Sequence, residues 1–298
     1  MKIVIGTRKS QIPLIQSRSV AQLLSQAGAD VEIRPIETVG DTLDVALEDR
    51  GGSSVFVREI DESLIKGEID VAIHDMKDVA VTLPEGVAIA AVPERVDPRE
   101  AFVSTQSRKL SSLAKGSRIG VSGPCRAVQL ARLRPDAEIV FLSGDVEARL
   151  RALSAGEIDA IVMSAAGPLR IGVPKVIAEY LPVEKIVPRA GQGALAVEVR
   201  SEARELVAFV KKACHHRASG VTVLAERAFV RALSAMHGAI IAANADIKPS
   251  GLLLTGLIAS EDWTMFAVER ESGPLEAASS AGTKLAEKMV SHLQKKAQ

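Results

Sequence analysis

Aromatic side chains are scarce in this 298-residue chain, at 3% of residues, and Trp263 and Tyr180 are the single examples of their kinds. The stacking platforms that hold single-stranded nucleic acid need more of them, so base stacking is a poor mode of recognition here. Net charge is missing too, since 37 Lys and Arg are matched by 37 Asp and Glu. No whole-molecule field pulls in nucleic acid or an anionic membrane, and any anionic ligand must be held by local clusters. Cysteine is limited to Cys125 and Cys214. That is too few for a disulfide framework and fits a reducing compartment, so a cytoplasmic location is expected. No apolar run reaches the roughly 18 residues of a membrane span. The run before Gly6 in MKIVIGTRKS is only three residues, too short for a signal-peptide core, so neither export by that route nor membrane embedding is expected.

What is present is ordinary for a folded protein, with 47% hydrophobic and 25% charged residues. At about 100 to 200 residues per domain, two domains or three small ones are expected. Apolar runs alternate with helical patterns over the first two thirds. Ile3 to Ile5 reads as a strand, Gln11 to Gln26 as a helix and Val31 to Ile36 as a strand. A helix from Phe56 to Ile65 and strands at Val71 to His74 and Val87 to Val92 follow, with further alternation over 118 to 163. Repeated βαβ units predict an α/β fold with mostly parallel sheets. Loop chemistry marks two crossovers, Pro93 to Arg99 and Val187 to Gly193. The block between them is of a size to fold as a second α/β lobe, and clefts between lobes favour small ligands. After Lys212 a helix at 221 to 233, strands near 239 to 245, 252 to 258 and 265 to 268, and a final helix at 275 to 294 predict a small α+β domain.

Chemistry-bearing residues gather at the ends of the expected strands. Arg8, Lys9 and Ser10 open the first helix, where free N–H groups favour an anion, although a solvated cationic turn capped by Ser10 is the plainer reading. His74-Asp75-Met76-Lys77-Asp78 packs two carboxylates, an ammonium and an imidazole at the end of a buried-type strand, a site candidate by the crevice rule of open α/β sheets. Arginines recur at comparable places in the middle block, Arg126 at the start of a helix, Arg149 on the helix after Gly144-Asp145 and Arg170 after Gly167; several guanidinium forks aimed into one cleft would make a polyanion site, and a set of ordinary surface arginines is the alternative. Metal binding is not expected. Cys214-His215-His216 has suitable atoms, but adjacent residues on a helix point about 100° apart. Gly191-Gln192-Gly193-Ala194 reads as a tight turn before a strand.

Taken together, the motifs resemble the porphobilinogen deaminase, or hydroxymethylbilane synthase, family. They run in the family's order: GTRKSQ at 6 to 11, GG with FVREI at 51 to 60, HDMKDV at 74 to 79, LPEG and ERVDPREAFVS at 83 to 104, RLRPD at 132 to 136, AAG at 165 to 167, GQGALAVEVR at 191 to 200 and AERAF at 225 to 229. The resemblance implies two lobes like those of type II periplasmic binding proteins, 1–93 with 194–212 and 99–188, plus an α+β C-terminal domain at 216–298. It implies a monomeric cytoplasmic transferase of tetrapyrrole (heme) biosynthesis that joins porphobilinogen units head to tail, losing ammonia, on a dipyrromethane cofactor attached to a cysteine. By the same resemblance Asp78 is the catalytic aspartate that stabilises a cationic azafulvene. Arg8 and Arg149 assist catalysis, and Ser10, Arg126 and Arg170 hold the ligand's carboxylates.

Departures from the family pattern carry further expectations. Counting without a gap from Ala225-Glu226-Arg227 puts His237 where the family's cofactor-bearing cysteine stands. A thioether needs sulfur, so the usual attachment is expected to be absent, with Cys125 the alternative anchor or else a small buried filler. Cys125, Ser143 and Ser53 replace family cations, Pro168 interrupts the usual A-G-L-K-R run, and Ala80 replaces a proline after Asp78. The expected ligand is a pyrrole or another carboxylated small molecule, with no nucleic acid or membrane partner. A paralogue with a different small-molecule role and a noncatalytic binding or regulatory protein are the alternatives.

Overall fold

The computed structural model describes residues 1–39 and 56–297. Ser53 therefore lies outside the described residues, as do Gly51 and Gly52 of the GG motif. The described chain forms two compact units, one from 1–39, 56–96 and 193–221 and the other from 97–192 and 222–297.

In the first unit, β1 (Lys2–Arg8), α1 (Gln11–Gln26), β2 (Asp30–Ile36), α2 (Arg58–Ile65), β3 (Val71–Asp75) and β4 (Val87–Ala91) come before the crossover. The sheet order is β2-β1-β3-β10-β4, with β10 (Leu195–Arg200) returning from far along the chain. Joins β1–β2 and β1–β3 are parallel, and β10 runs antiparallel to both β3 and β4. Ile3, Ile5, Val71, Val197 and Val199 are fully buried in this sheet. Their core is closed on one face by Val20 and Leu24 of α1, four residues apart on one helical stripe, and by Val210 of α6 (Arg204–Cys214). Gly28, at φ 95°, supplies the left-handed residue that ends α1.

The second unit repeats this design. Strands β5 (Glu100–Ser104), β6 (Arg118–Val121), β7 (Glu138–Phe141), β8 (Ala160–Ser164) and β9 (Glu179–Leu181) lie in the order β7-β6-β8-β5-β9. Again two parallel joins adjoin two antiparallel ones. Helices α3 (Pro124–Leu133), α4 (Val146–Ser154) and α5 (Ala166–Arg170) follow β6, β7 and β8. Beyond α7 (Arg217–Ala232), an antiparallel sheet β11 (Ile240–Lys248), β12 (Gly251–Ala259), β13 (Phe266–Gly273) and α8 (Ala278–Ala297) complete the chain. Gly282 lets α8 approach α7 closely, since a Cβ there would stand 2.7 Å from the Phe229 backbone nitrogen.

The α/β class and the two lobes of one design agree with the sequence reading. Two local expectations need correction. The sheets are mixed rather than mostly parallel, because β10 and β5 each enter against the direction of the βαβ strands. Helix α6 stops at Cys214, so His215 and His216 lie outside it; His215 Nδ1 instead accepts the Val92 N–H at 3.2 Å. Pro168, which replaces the family residue in the A-G-L-K-R run, sits in the first turn of α5, where its missing N–H is not needed. Among the described residues, no helix is long and apolar enough to cross a membrane.

Candidate functional site

In the first unit the sequence candidates converge on one sheet edge. Strands β1 and β3 are parallel neighbours, so their carboxyl ends lie side by side. Arg8 is the last residue of β1, and its guanidinium lies 4.3 Å from the Phe56 ring centroid. That packing helps to fix the guanidinium at the edge. Ser10 occupies the N-cap position of α1, yet its hydroxyl makes no capping hydrogen bond, so the plain capping role does not apply. At the end of β3, Asp75 accepts a hydrogen bond from Gln16 Nε2 at 3.2 Å, and the chain then makes a short 3-10 turn, Met76–Asp78. Asp78 is half-buried on that turn. Arg8, Ser10 and Asp78 thus leave the sheet at the same edge, where open α/β sheets bind ligands.

Beneath this edge is a buried cluster that the sequence reading did not pick out. His74 Nε2 lies 3.1 Å from Asp61 Oδ1 and 3.6 Å from Glu198 Oε2, with all three side chains buried. Burial works against charge on the imidazole. The hydrogen bond to Asp61 and the charges of Glu198, Asp61 and Asp78 outweigh it and push the His74 pKa up. One donor atom from each of the three residues falls within 4.8 Å of the others, the set among the described residues with the spacing to hold a metal ion. An imidazole facing two carboxylates already accounts for the arrangement. A sequence signal existed, since Glu198 interrupts the otherwise apolar run of β10.

In the second unit Arg126, Arg149 and Arg170 stand on α3, α4 and α5, the helices that follow the carboxyl ends of β6, β7 and β8. Arg149 Nη1 donates to the Ser122 hydroxyl at 2.7 Å. Arg170 ends α5 and is half-buried. Arg126, expected to hold ligand carboxylates, is instead turned into the protein. It is 6% exposed, and its Nε lies 2.9 Å from the buried Glu100 carboxylate. Its Nη1 donates to the Ser122 carbonyl and hydroxyl at 2.8 and 3.0 Å, and its Nη2 to Gln192 Oε1 at 3.0 Å. Glu100 and Ser122 were not singled out in the sequence and Gln192 was read only as part of a tight turn, although a carboxylate within the apolar strand EAFVS is the kind of residue that buries only with a partner.

Both thiols are buried. Cys125 packs among Val128, Val187, Ile240, Ala242, Leu257 and Ala259, which suits the filler reading and not the anchor. Burial raises the Cys214 thiol to about 11. His237 is exposed on the turn after α7, beside Gly238 at φ 75°. Ser143 is exposed as well.

Comparison with known proteins is consistent across nearly the whole length. Residues 3–208 match the family model described as "Porphobilinogen deaminase, dipyromethane cofactor binding domain". The porphobilinogen deaminase of Geobacter sulfurreducens is 40% identical over 295 residues, covering 97% of this chain and 91% of the relative. That of Syntrophotalea carbinolica is 41% identical over 292 residues, covering 96% and 91%. Among solved structures, the methionine-binding protein MetQ aligns with a TM-score of 0.45 at 16% identity, over 78% of this chain and 94% of that one, too weak a likeness to carry an argument.

Proposed function

This chain belongs to the porphobilinogen deaminase family, and from that premise we propose that it acts on porphobilinogen or a closely related carboxylated pyrrole without a cysteine-linked primer. The family's role lies in tetrapyrrole biosynthesis, and its members are transferases. In this reading Asp78 faces the pyrrole. As the C–N bond of the aminomethyl group breaks and its electron pair leaves with ammonia, the ring becomes a cationic azafulvene, which the free α-carbon of a second porphobilinogen then attacks, losing its proton as the new C–C bond forms. A carboxylate fixed beside it favours that cation over the neutral ground state, which lowers the barrier. The position of Asp78 on a turn held at the end of a buried strand supports this role. Arg8 and Arg149 take ligand carboxylates, with Ser10 and Arg170 as additional polar contacts; the position of each at or beyond the carboxyl end of a strand supports the assignment.

The observation that carries the primer-free part of the reading is the state of the sulfur atoms. Thioether formation needs an accessible thiolate. Both cysteines are buried, Cys214 is held protonated, and the exposed turn after α7 offers His237 instead. A covalently anchored dipyrromethane does not fit this set of residues, and no step is assigned to it. The two reduced thiols also support a cytoplasmic setting.

The test is to incubate the purified chain with porphobilinogen, measure released ammonia, and take the intact mass under denaturing conditions. Ammonia release with an unchanged protein mass is expected. A ladder of pyrrole-unit adducts would overturn the primer-free reading, and no binding or release at all would overturn porphobilinogen as the substrate.

A further inference from the structure

Among the described residues the chain leaves or re-enters the first unit at three points, after Val96, before Gly193 and after Val221. Inside that unit the three are tied together. The Val96 N–H donates to the Gly193 carbonyl at 3.3 Å, and the His216 N–H to the Val92 carbonyl at 2.8 Å. The Arg95 N–H donates to the Ser219 hydroxyl at 2.9 Å and the Val92 N–H to His215 Nδ1 at 3.2 Å. The short stretch 215–219, where α6 gives way to α7, thus holds both ends of the exit segment 92–95. Gly220 makes room for the ring, since a Cβ there would stand 2.7 Å from His215 Nε2. Three of these four bonds end on oxygen atoms that take up no proton near neutral pH, and the fourth ends on an imidazole nitrogen. A main-chain N–H can only donate, so Nδ1 must turn a lone pair toward Val92 and carry no proton. A protonated Nδ1 would face that N–H donor to donor, and the bond would be lost. His215 is exposed, so protons reach it without any opening of the fold.

From this we propose that His215 is a proton-operated catch: neutral, it fastens the exit segment beyond β4 to the α6–α7 junction, and protonated in mildly acidic solution it lets that segment loosen. The charged residues that the packed elements bring to the junction are Lys211 and Lys212 at the end of α6, Glu94 and Arg95 in the exit segment, and Arg217 at the start of α7. Desolvation of the ring, with the charges of Lys211 and the neighbouring His216, holds its pKa below the ordinary 6.5. The catch is therefore closed at neutral pH and opens only as pH falls below that value. The pairing of β4 with β10 does not involve the ring, so the loosening is confined to the segment that leads out of the unit. The device responds to proton concentration whichever ligand the protein takes, and it does not depend on the proposed substrate.

Hydrogen exchange on the full, ligand-free chain tests the catch, with each amide's protection corrected for its intrinsic exchange rate at every pH. Between about pH 7.5 and about pH 5, a span that brackets the ordinary histidine range, protection of the Val92 amide is expected to fall about 3- to 10-fold, the worth of one hydrogen bond. The amide of the fully buried Ile5 should keep its protection over the same range. His215→Asn offers an Oδ1 acceptor that does not titrate, so Val92 protection should stay high at both pH values. His215→Ala removes the acceptor and should show the low value at both. Constant Val92 protection in the wild-type chain, or an equal fall in His215→Asn, overturns the proposal. An equal fall at Ile5 overturns it as well, since acid would then be loosening the whole unit and not the exit segment.

Discussion

The imidazole of His74 and the carboxylate of Asp61 meet at 3.1 Å inside the first unit, joining the end of β3 to helix α2. Their pairing carries a pH signature. Burial opposes the charge, the Asp61 hydrogen bond and the Glu198 charge prevail, and the pKa of His74 rises above 6.5. A histidine raised on folding contributes stability that is fully present below its unfolded value and lost as pH rises through the folded one. Burial lowers His215, which titrates with the opposite sign below 6.5 and leaves the higher range to His74. Urea unfolding should therefore show stability falling as pH is raised from 6.5 toward about 7.5, short of the thiol range. In His74→Gln that fall should vanish, with an overall loss of about 3–5 kcal/mol because two buried carboxylates lose their partner. An unchanged slope in the variant would refute the protonated ring.

Removing the charge of Asp78 should separate binding from chemistry. Asp78→Asn is expected to bind porphobilinogen within about 5-fold of wild type while ammonia release falls by about 10²–10³, the range for losing one preorganised electrostatic group. Equal losses in binding and release would show that the carboxylate serves the ground state.

The sulfur atoms make a third prediction. In the native chain, Cys125 and Cys214 should resist a thiol reagent such as Ellman's at pH 8, and both should react once the chain is denatured. Cys125→Ala should leave porphobilinogen-dependent ammonia release unchanged. Fast labelling of either native thiol would return it to consideration as an attachment point.

Much of this was legible in the sequence, for identifiable reasons. Helix α1 was read at its true bounds, Gln11 to Gln26, because its apolar period and the glycine after it agree. Arg8 and Asp78 could be placed at strand ends because each stands next to a clear apolar run. What escaped notice depends on long-range pairing. Glu100 meets Arg126, and Arg126 meets Gln192 66 residues later in the chain. A residue 66 positions away leaves no periodic trace, so Arg126 read as a ligand contact and its buried partners went unseen. The resemblance placed 194–212 in the first lobe, but the antiparallel direction of β10 there was hidden, because a continuous apolar run fits either direction.

The contact of α8 on α7 is tight enough to test by one methyl group. Gly282→Ala should lower stability by about 1–3 kcal/mol, because the new Cβ meets backbone atoms of α7 that cannot move aside without shifting the helix. Thermal unfolding measures this directly, and a neutral result would mean that the two helices separate easily.

The late return of β10 has a consequence for how the chain is made. Among the described strands, β4 pairs with β10 alone, and β10 also closes the free side of β3. During synthesis the first 96 residues therefore emerge with β4 lacking any sheet to join and with the outer side of β3 unpaired, and both wait until the whole stretch 97–192 has been translated. At roughly 5–20 residues per second, that is an interval of about 5–20 seconds in which β3 and β4 offer open edges. A nascent chain stalled anywhere in that stretch would be a substrate for chaperones, and a gene cut after residue 192 would yield a protein with its first sheet permanently incomplete.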